Sequence, residues 1–295
     1  MKVHLNGSLV PQSEARVSAF DRGFLFGDGV YEMVRFFGGV GVAMDLHVAR
    51  LARSLELTGI RGFAASELER ISHELLHANG LRDAGVYLQV TRGAGPTRAH
   101  MPSPDLVPTV FAYAAASEPL EAFTEPGTLR AIVRPDLRWH RCEIKTIALA
   151  GNILALVEAQ AVGAEECILV REGLVSEGAY TNVAIVKDGT LVTCPLDDGA
   201  APVLHGTMRC WMLDAARAAG VPADVQRIRA EELATANEVL VQSSRRLVSA
   251  VTHLDGTPVA GGGSAPGAVC RALFAAMHTR IAREVKAQLP PTRSA

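Results

Sequence analysis

The chain has 295 residues, 48% hydrophobic and 20% charged, which suits a folded globular protein with one large or two modest cores. Its formal net charge of -2 argues against a global basic field, and so against nucleic acid as a main partner; acidic small substrates need local cations. No apolar run is long enough to span a membrane, the first residues lack a signal-peptide core, and Cys142, Cys167, Cys194, Cys210 and Cys270 form no C-x-x-C pair, so a cytoplasmic protein with reduced thiols is expected.

The N-terminus reads as a hairpin around Asn6 and Gly7, a dipeptide suited to a two-residue turn. Val30 to Phe37, rich in β-branched and aromatic residues, predicts a strand that turns at Gly38 and Gly39 into Val40 to Met44. Asp45 is expected to cap a helix through Leu46, Ala49, Leu51 and Leu55. Ser66 is expected to cap a second, with Leu68, Ile71 and Leu75 on one face. Strands follow near Gly85–Thr91 and Val107–Ala114. Ser117 to Gly127, with two prolines and three glutamates, reads as a linker.

Beyond it come a strand at Leu129–Val133 and an alanine-rich helix from Ala148 to Val162. Short strands are expected at Glu166–Val170, Asn182–Val186 and Leu191–Cys194, then a helix from Gly206 through Ala219. Strands at Glu238–Gln242 and Leu247–Thr252 precede a loop at Gly261, Gly262 and Gly263 and a terminal helix from Ala265 to Ala287. Adjacent hairpins without regular βαβ alternation predict an α+β protein. The expected organisation is a small domain over 1–116, a linker over 117–127 and a larger domain over 128–295.

His73-Glu-Leu-Leu-His77 fits the H-E-x-x-H zinc signature. However, Leu68, Ile71 and Leu75 mark the buried stripe, and His73 lies about 200° round from Ile71 at ~100° per residue. No third ligand follows in a recognisable pattern. Two solvated histidines on a surface helix are expected, and no metal site.

Lys145 precedes the alanine-rich helix with Ile144, Ile147, Ala148 and Leu149 around it. An isolated lysine is ordinarily a solvated charge, but apolar neighbours disfavour the ammonium and free the amine to condense with an aldehyde. Glu177, in Val-Ser-Glu177-Gly, is either a turn glutamate or an anion facing the ring nitrogen of a pyridine cofactor, where it keeps that nitrogen protonated.

Six segments then stand in one order: Asp21 to Glu32, His47 to Leu51, Glu143 to Lys145, Glu177 to Val183, Leu204 to Arg209, and Val241 to Ser244. Together they resemble the fold-type IV pyridoxal-phosphate enzymes, which include D-amino-acid transaminases, branched-chain aminotransferases and aminodeoxychorismate lyases. The resemblance implies a small N-terminal α/β sandwich-like domain and a larger C-terminal mixed β-barrel-like domain with helices. It implies pyridoxal 5'-phosphate on Lys145, which also shuttles the substrate proton. Glu177 pairs with the pyridinium, and Arg50 binds the phosphate together with the backbone of Thr207 and Met208 at a helix N-terminus. Ser244 adds a hydroxyl, and Arg138 and Asn182 tune the phenolic side. Where Met208 stands, the family often has a hydroxyl residue.

Arg98-Ala-His100, in a Gly/Pro loop, is by itself an ordinary polar surface. With Tyr31 it resembles the carboxylate trap of the D-amino-acid transaminases, where Arg and His come from the other subunit of a homodimer. The expected reaction is therefore ping-pong transamination of D-amino acids such as D-alanine or D-glutamate with 2-oxoglutarate or pyruvate. Branched-chain L-transamination, (R)-amine transamination or the lyase reaction are alternatives on the same scaffold. A non-catalytic ligand-binding protein is the alternative of a different class. Tyr180 stands where the family has a small residue. Arg245 and Arg246 are either solvated or a site for the distal carboxylate of a dicarboxylate substrate.

Overall fold

The structure, a computed structural model, describes residues 1–196, 199–259 and 266–288. The described residues divide into two compact units: those within 1–122, 144–149 and 281–288 form one, and those within 123–143 and 150–280 the other. The short segment containing Lys145 therefore belongs with the N-terminal elements. The expected loop at Gly261, Gly262 and Gly263 lies outside the described residues, as does Ala265 at the expected start of the last helix.

In the first unit a six-stranded sheet takes the order Ser8–Pro11, Lys2–Leu5, Thr109–Ala116, Ala84–Thr91, Gly29–Phe37, Val40–Gly41, every pairing antiparallel. Side chains alternate across a strand. Val30, Val34 and Phe36 thus share one face with Val86, Leu88, Val90, Ala112 and Ala114, against Leu51, Leu55, Leu68, Ile71 and Leu75 of the helices Met44–Thr58 and Glu67–Asn79. The opposite face carries a half-buried ladder of aromatic rings, Tyr31, Tyr87, Tyr113 and Phe111, with successive centroids 5.5, 5.5 and 6.0 Å apart.

Several local expectations are corrected. Asp45 lies inside the first turn rather than capping it; Ala43, in the left-handed region at φ 52°, precedes the helix, which starts at Met44 and cuts the expected strand to Val40–Gly41. Ser66 precedes its helix but gives no side-chain cap. The strand expected from Val107 begins at Thr109, after Pro108, which has no N–H to offer a ladder. A five-residue helix, Arg22–Phe26, was not anticipated; Asp21 accepts the Gly23 N–H at 2.8 Å and caps it. His73 and His77 are both exposed, and the His73 ring meets Phe36 edge-on at 5.7 Å.

The second unit is built on a nine-stranded mixed sheet. Its path runs Ala223–Val225, Thr190–Thr193, Asn182–Lys187, Glu238–Ser243, Leu247–Leu254, Gly127–Pro135, Glu166–Arg171, Leu174–Gly178, with Thr257–Pro258 added on Leu247–Leu254. The strand Leu174–Gly178 was also not anticipated. Only residues 179–181 separate it from Asn182–Lys187, yet five inter-strand steps lie between the two along the sheet. Laid flat, that separation is about 24 Å at ~4.8 Å per step, while four residue steps reach at most about 14 Å. The sheet must therefore curl, and its inner face closes on Leu129, Ala131, Ile168, Val175, Val183, Ile185, Val239, Val241 and Val251. On the outside, Ile132, Cys167 and Leu169 pack under Ala155 and Ala159 of the helix Ala150–Ala161. One antiparallel and one mixed sheet, with helices segregated from the strands, make the protein α+β, as expected.

Candidate active site

The first unit presents Lys145 on an irregular segment stitched to the strand Gly29–Phe37. The Tyr31 N–H donates to the Lys145 carbonyl at 2.9 Å, the Ile147 N–H to the Gly29 carbonyl at 3.1 Å, and the Lys145 N–H to Ser54 Oγ at 3.2 Å. Ile144 is buried in the core, while Lys145 is half-buried, its Nζ 4.2 Å from the Tyr31 ring centroid. That distance is a cation–π contact and fixes the amine over the phenol ring.

On the core side of the same strand, Glu32 takes an inward position between Val30 and Val34. It accepts Arg50 Nε at 2.8 Å and Nη2 at 2.7 Å, and its Oε2 lies 2.6 Å from His47 Nδ1. Glu32 and His47 are fully buried and Arg50 nearly so. Burial alone would raise the Glu32 pKa, but Arg50 and then His47 overcome it and hold the carboxyl far below the usual range. Burial, opposed by Glu32, lowers the His47 pKa. The fork of Arg50, expected at a phosphate, is thus oriented from behind by a buried carboxylate. Glu32 and His47 were missed as a pair; a charge at a core-facing position of an alternating strand was the available signal.

Arg98 and His100 lie in the exposed loop after Thr91, beside Phe26: the Arg98 guanidinium is 4.7 Å and the His100 ring 5.8 Å from that ring's centroid. Neither makes a hydrogen bond, ion pair or ring contact with Tyr31 of the same chain. The fold brings Tyr31 to Lys145, and Arg98 to His100, but does not join the two pairs.

In the second unit Glu177 is buried in the strand Leu174–Gly178. Arg138 Nη1 donates to its Oε1 at 2.5 Å; Asn182 Nδ2 at 3.1 Å and the Leu204 N–H at 2.8 Å donate to its Oε2. Arg138 is itself clamped by Asp136, at 2.9 and 3.0 Å, and Asp136 also accepts from Ser176 and pairs with Arg171. Burial pushes the Glu177 carboxyl upward despite Arg138, so a further cation would suit it. The structure places Arg138 and Asn182 on Glu177 itself. Gly206 precedes the helix Thr207–Ala218, whose first residues Thr207 and Met208 are buried. A Cβ on Gly206 would come 1.7 Å from Asn182 Oδ1, so any side chain there must displace Asn182 or the helix start.

Ser244 opens the turn after the strand Glu238–Ser243. Beside it, the buried Ser243 Oγ has no hydrogen-bond partner, nor does the buried Gln242 Oε1. Arg246 Nη2 and Nε donate to the Tyr180 hydroxyl at 3.1 and 3.3 Å, and that hydroxyl donates to the Glu165 carbonyl at 3.2 Å. Arg245 is exposed.

Known proteins match this chain over most of their length. The D-alanine aminotransferase of Bacillus licheniformis is 37% identical over 285 residues, covering 96% of this chain and 98% of the relative. That of Listeria monocytogenes serotype 1/2a (strain 10403S) is 36% identical, covering 97% and 96%. Among solved structures, the branched-chain aminotransferase of Thermoproteus uzoniensis with norvaline superposes with a TM-score of 0.83 at 27% identity, covering 98% of this chain and 95% of that one. The fold IV-transaminase of Curtobacterium pusillum gives 0.77 at 25%, covering 93% and 92%. These neighbours bear out the expected fold type. Residues 29–254 match the amino-transferase class IV family, and the chain belongs to it.

Proposed function

We propose that this aminotransferase moves amino groups from D-amino acids to 2-oxo acids, using pyridoxal 5'-phosphate held on Lys145. The observation that carries the reading is Glu177, a buried carboxylate with three donors and a pKa that burial still raises. A protonated ring nitrogen is the cation that such a group complements. The other residues fit the cofactor too. Ser243 Oγ lacks an acceptor, which a phosphate oxygen would supply, and Arg50 is a buried guanidinium already aligned by Glu32.

When bound, the cofactor supplies an aldehyde that takes up the amino group and a ring that draws negative charge away from the substrate's Cα. Lys145 would hold the cofactor through its amine and, once freed, would move the proton at the substrate's Cα. Glu177 keeps the ring nitrogen charged, with Arg138 and Asn182 holding its two oxygens. Arg50, the backbone of Thr207 and Met208 and the hydroxyl of Ser244 bind phosphate. Tyr31, Arg98 and His100 receive the substrate carboxylate and so decide which enantiomer aims its Cα–H at Lys145.

The D preference rests on that trap and on the D-alanine aminotransferases that resemble this chain. Because Arg98 and His100 do not meet Tyr31 within one chain, the trap is completed by a second copy, in a homodimer. Ile153, Leu154 and Val157 leave an apolar stripe exposed on the helix Ala150–Ala161, in keeping with a partner. The free, mostly buried cysteines accord with a cytoplasmic enzyme, and among the described residues no helix is long and apolar enough to cross a membrane.

Amino transfer from D-alanine to 2-oxoglutarate, compared with L-leucine as donor, tests the proposal. Turnover with D-alanine alone is expected; turnover confined to L-leucine would move the assignment to branched-chain chemistry.

A further inference from the structure

We propose that Arg22 is a positioning residue that latches the loop bearing Arg98 and His100, and thereby sets the affinity for the substrate carboxylate. The inference rests on the carboxylate-trap reading of those two residues. Arg22 opens the short helix Arg22–Phe26 and is 8% exposed. Each of its three nitrogens donates to an acceptor. Nε donates to Asp28 Oδ2 at 2.7 Å, Nη1 to the Ala99 carbonyl at 2.6 Å, and Nη2 to the His100 carbonyl at 2.9 Å.

The anchor behind it is equally specific. Asp28 also accepts Arg92 Nε at 2.8 Å and Nη2 at 3.0 Å, and Arg92 donates to the Thr58 and Gly59 carbonyls at the end of the helix Met44–Thr58. Burial opposes ionisation of Asp28, yet Arg92 and Arg22 together hold its carboxyl below the usual range, so it stays an anion between two guanidiniums. A continuous chain of charge-assisted bonds therefore runs from a helix end to the two backbone carbonyls that flank the His100 Cα.

The loop has little else to define it. Residues 96–101 are exposed, and among the described residues no other side chain donates to their backbone. The Phe26 ring takes Arg22 at 4.8 Å, Arg98 at 4.7 Å and the His100 ring at 5.8 Å, so the latch and the two trap side chains share one aromatic seat. A planar fork that grips two consecutive carbonyls fixes both position and tilt of the loop backbone. A lysine, as a point charge, reaches one acceptor well but not both in that geometry. Arg22 touches no reacting atom in this scheme. Losing it should therefore weaken carboxylate capture and leave the proton transfers alone.

The test is steady-state kinetics on the cofactor-loaded Arg22→Leu, Arg22→Lys and Arg98→Ala enzymes, with D-alanine and 2-oxoglutarate and with the visible cofactor band recorded for each. The expected result is a KM for both substrates raised about tenfold or more in Arg22→Leu and less in Arg22→Lys, with kcat within about threefold and the band unchanged. Should Arg22→Leu fail to fold, Arg22→Lys decides alone, since it keeps a charge beside Asp28. Arg98→Ala separates the two claims. If it raises KM while both Arg22 variants match the parent, the latch is wrong and the trap stands. If it leaves KM unchanged, the trap is wrong and the latch falls with it. A drop in kcat with unchanged KM in the Arg22 variants would also overturn the latch.

Discussion

Glu32 is the residue whose chemistry and stability are most tightly joined. It is a charge in a hydrophobic core, tolerated because Arg50 and His47 meet both oxygens. Removing one member of such a set leaves the others buried and unpaired. Glu32→Ala is expected to destabilise the protein by roughly 3–5 kcal/mol, read as a shift in urea midpoint, and to weaken cofactor retention because Arg50 loses its brace.

The same cluster sets an acid limit. The His47 pKa is depressed from 6.5 and that of Glu32 from 4.5, so in each case the unfolded chain binds more protons over the interval just below those values. Stability is therefore full above about 6.5, falls as His47 is asked to charge, and falls again below about 4.5 as Glu32 is protonated. Melting temperatures across pH 4 to 8 should show both arms, and His47→Gln should remove the first and keep the second. A flat profile in the parent protein would contradict this.

Arg246 provides a third residue-scale prediction. Two of its nitrogens are held by the Tyr180 hydroxyl, which aims the guanidinium without neutralising it. Arg246→Ala should raise KM for 2-oxoglutarate several-fold and leave pyruvate unchanged, the signature of a distal-carboxylate contact. Equal effects on both oxo acids would show that it is an ordinary surface arginine.

At the scale of elements, what the sequence made legible depended on repetition. Long periodic segments, such as the helix Glu67–Asn79 and the strand Gly29–Phe37, could be read from spacing because packing against a core imposes 3.6- and 2-residue periods. The helix Arg22–Phe26 has barely one turn and so no period to detect; Asp21 ahead of Gly23 was its only signal. The strand Leu174–Gly178 was hidden because Glu177 and Gly178 look like a turn, and only hairpin pairing with Glu166–Arg171 makes them extended. Lys145, Arg50 and Glu177 stood out through family-like segments. Asp136, Asp28 and Arg22 did not, since Arg171, Arg92 and the Ala99 and His100 carbonyls reach them only in the fold.

Gly206 tests one such meeting of elements. An added methyl has no room beside Asn182, so Gly206→Ala must move either Asn182 or the start of the helix Thr207–Ala218. A cost of about 1–3 kcal/mol is expected. Cofactor titration should show weaker binding, because the displaced amide also supports Glu177. Unchanged cofactor affinity would separate that helix end from the site.

For the whole molecule, the proposed carboxylate trap requires two chains for one complete site. Arg98 and His100 sit with Phe26, apart from Tyr31 in bonding terms, and an apolar helix stripe at Ile153, Leu154 and Val157 is uncovered. Most single-chain fold reasoning sees neither fact, because composition and periodicity report a core but not what covers a surface. Leu154→Glu is expected to shift sedimentation from dimer to monomer and to lose activity in step. A fully active monomer would contradict the shared trap.

The proposed activity is a D-specific amino transfer on a cofactor held by Lys145 and Glu177. Its most direct test is the absorbance spectrum of the purified protein after loading with pyridoxal phosphate, recorded before and after D-alanine or L-leucine is added in separate cuvettes. A visible band that D-alanine converts to the pyridoxamine form and L-leucine leaves in place is expected. A band converted only by L-leucine, or no band at all after loading, would contradict the proposed activity.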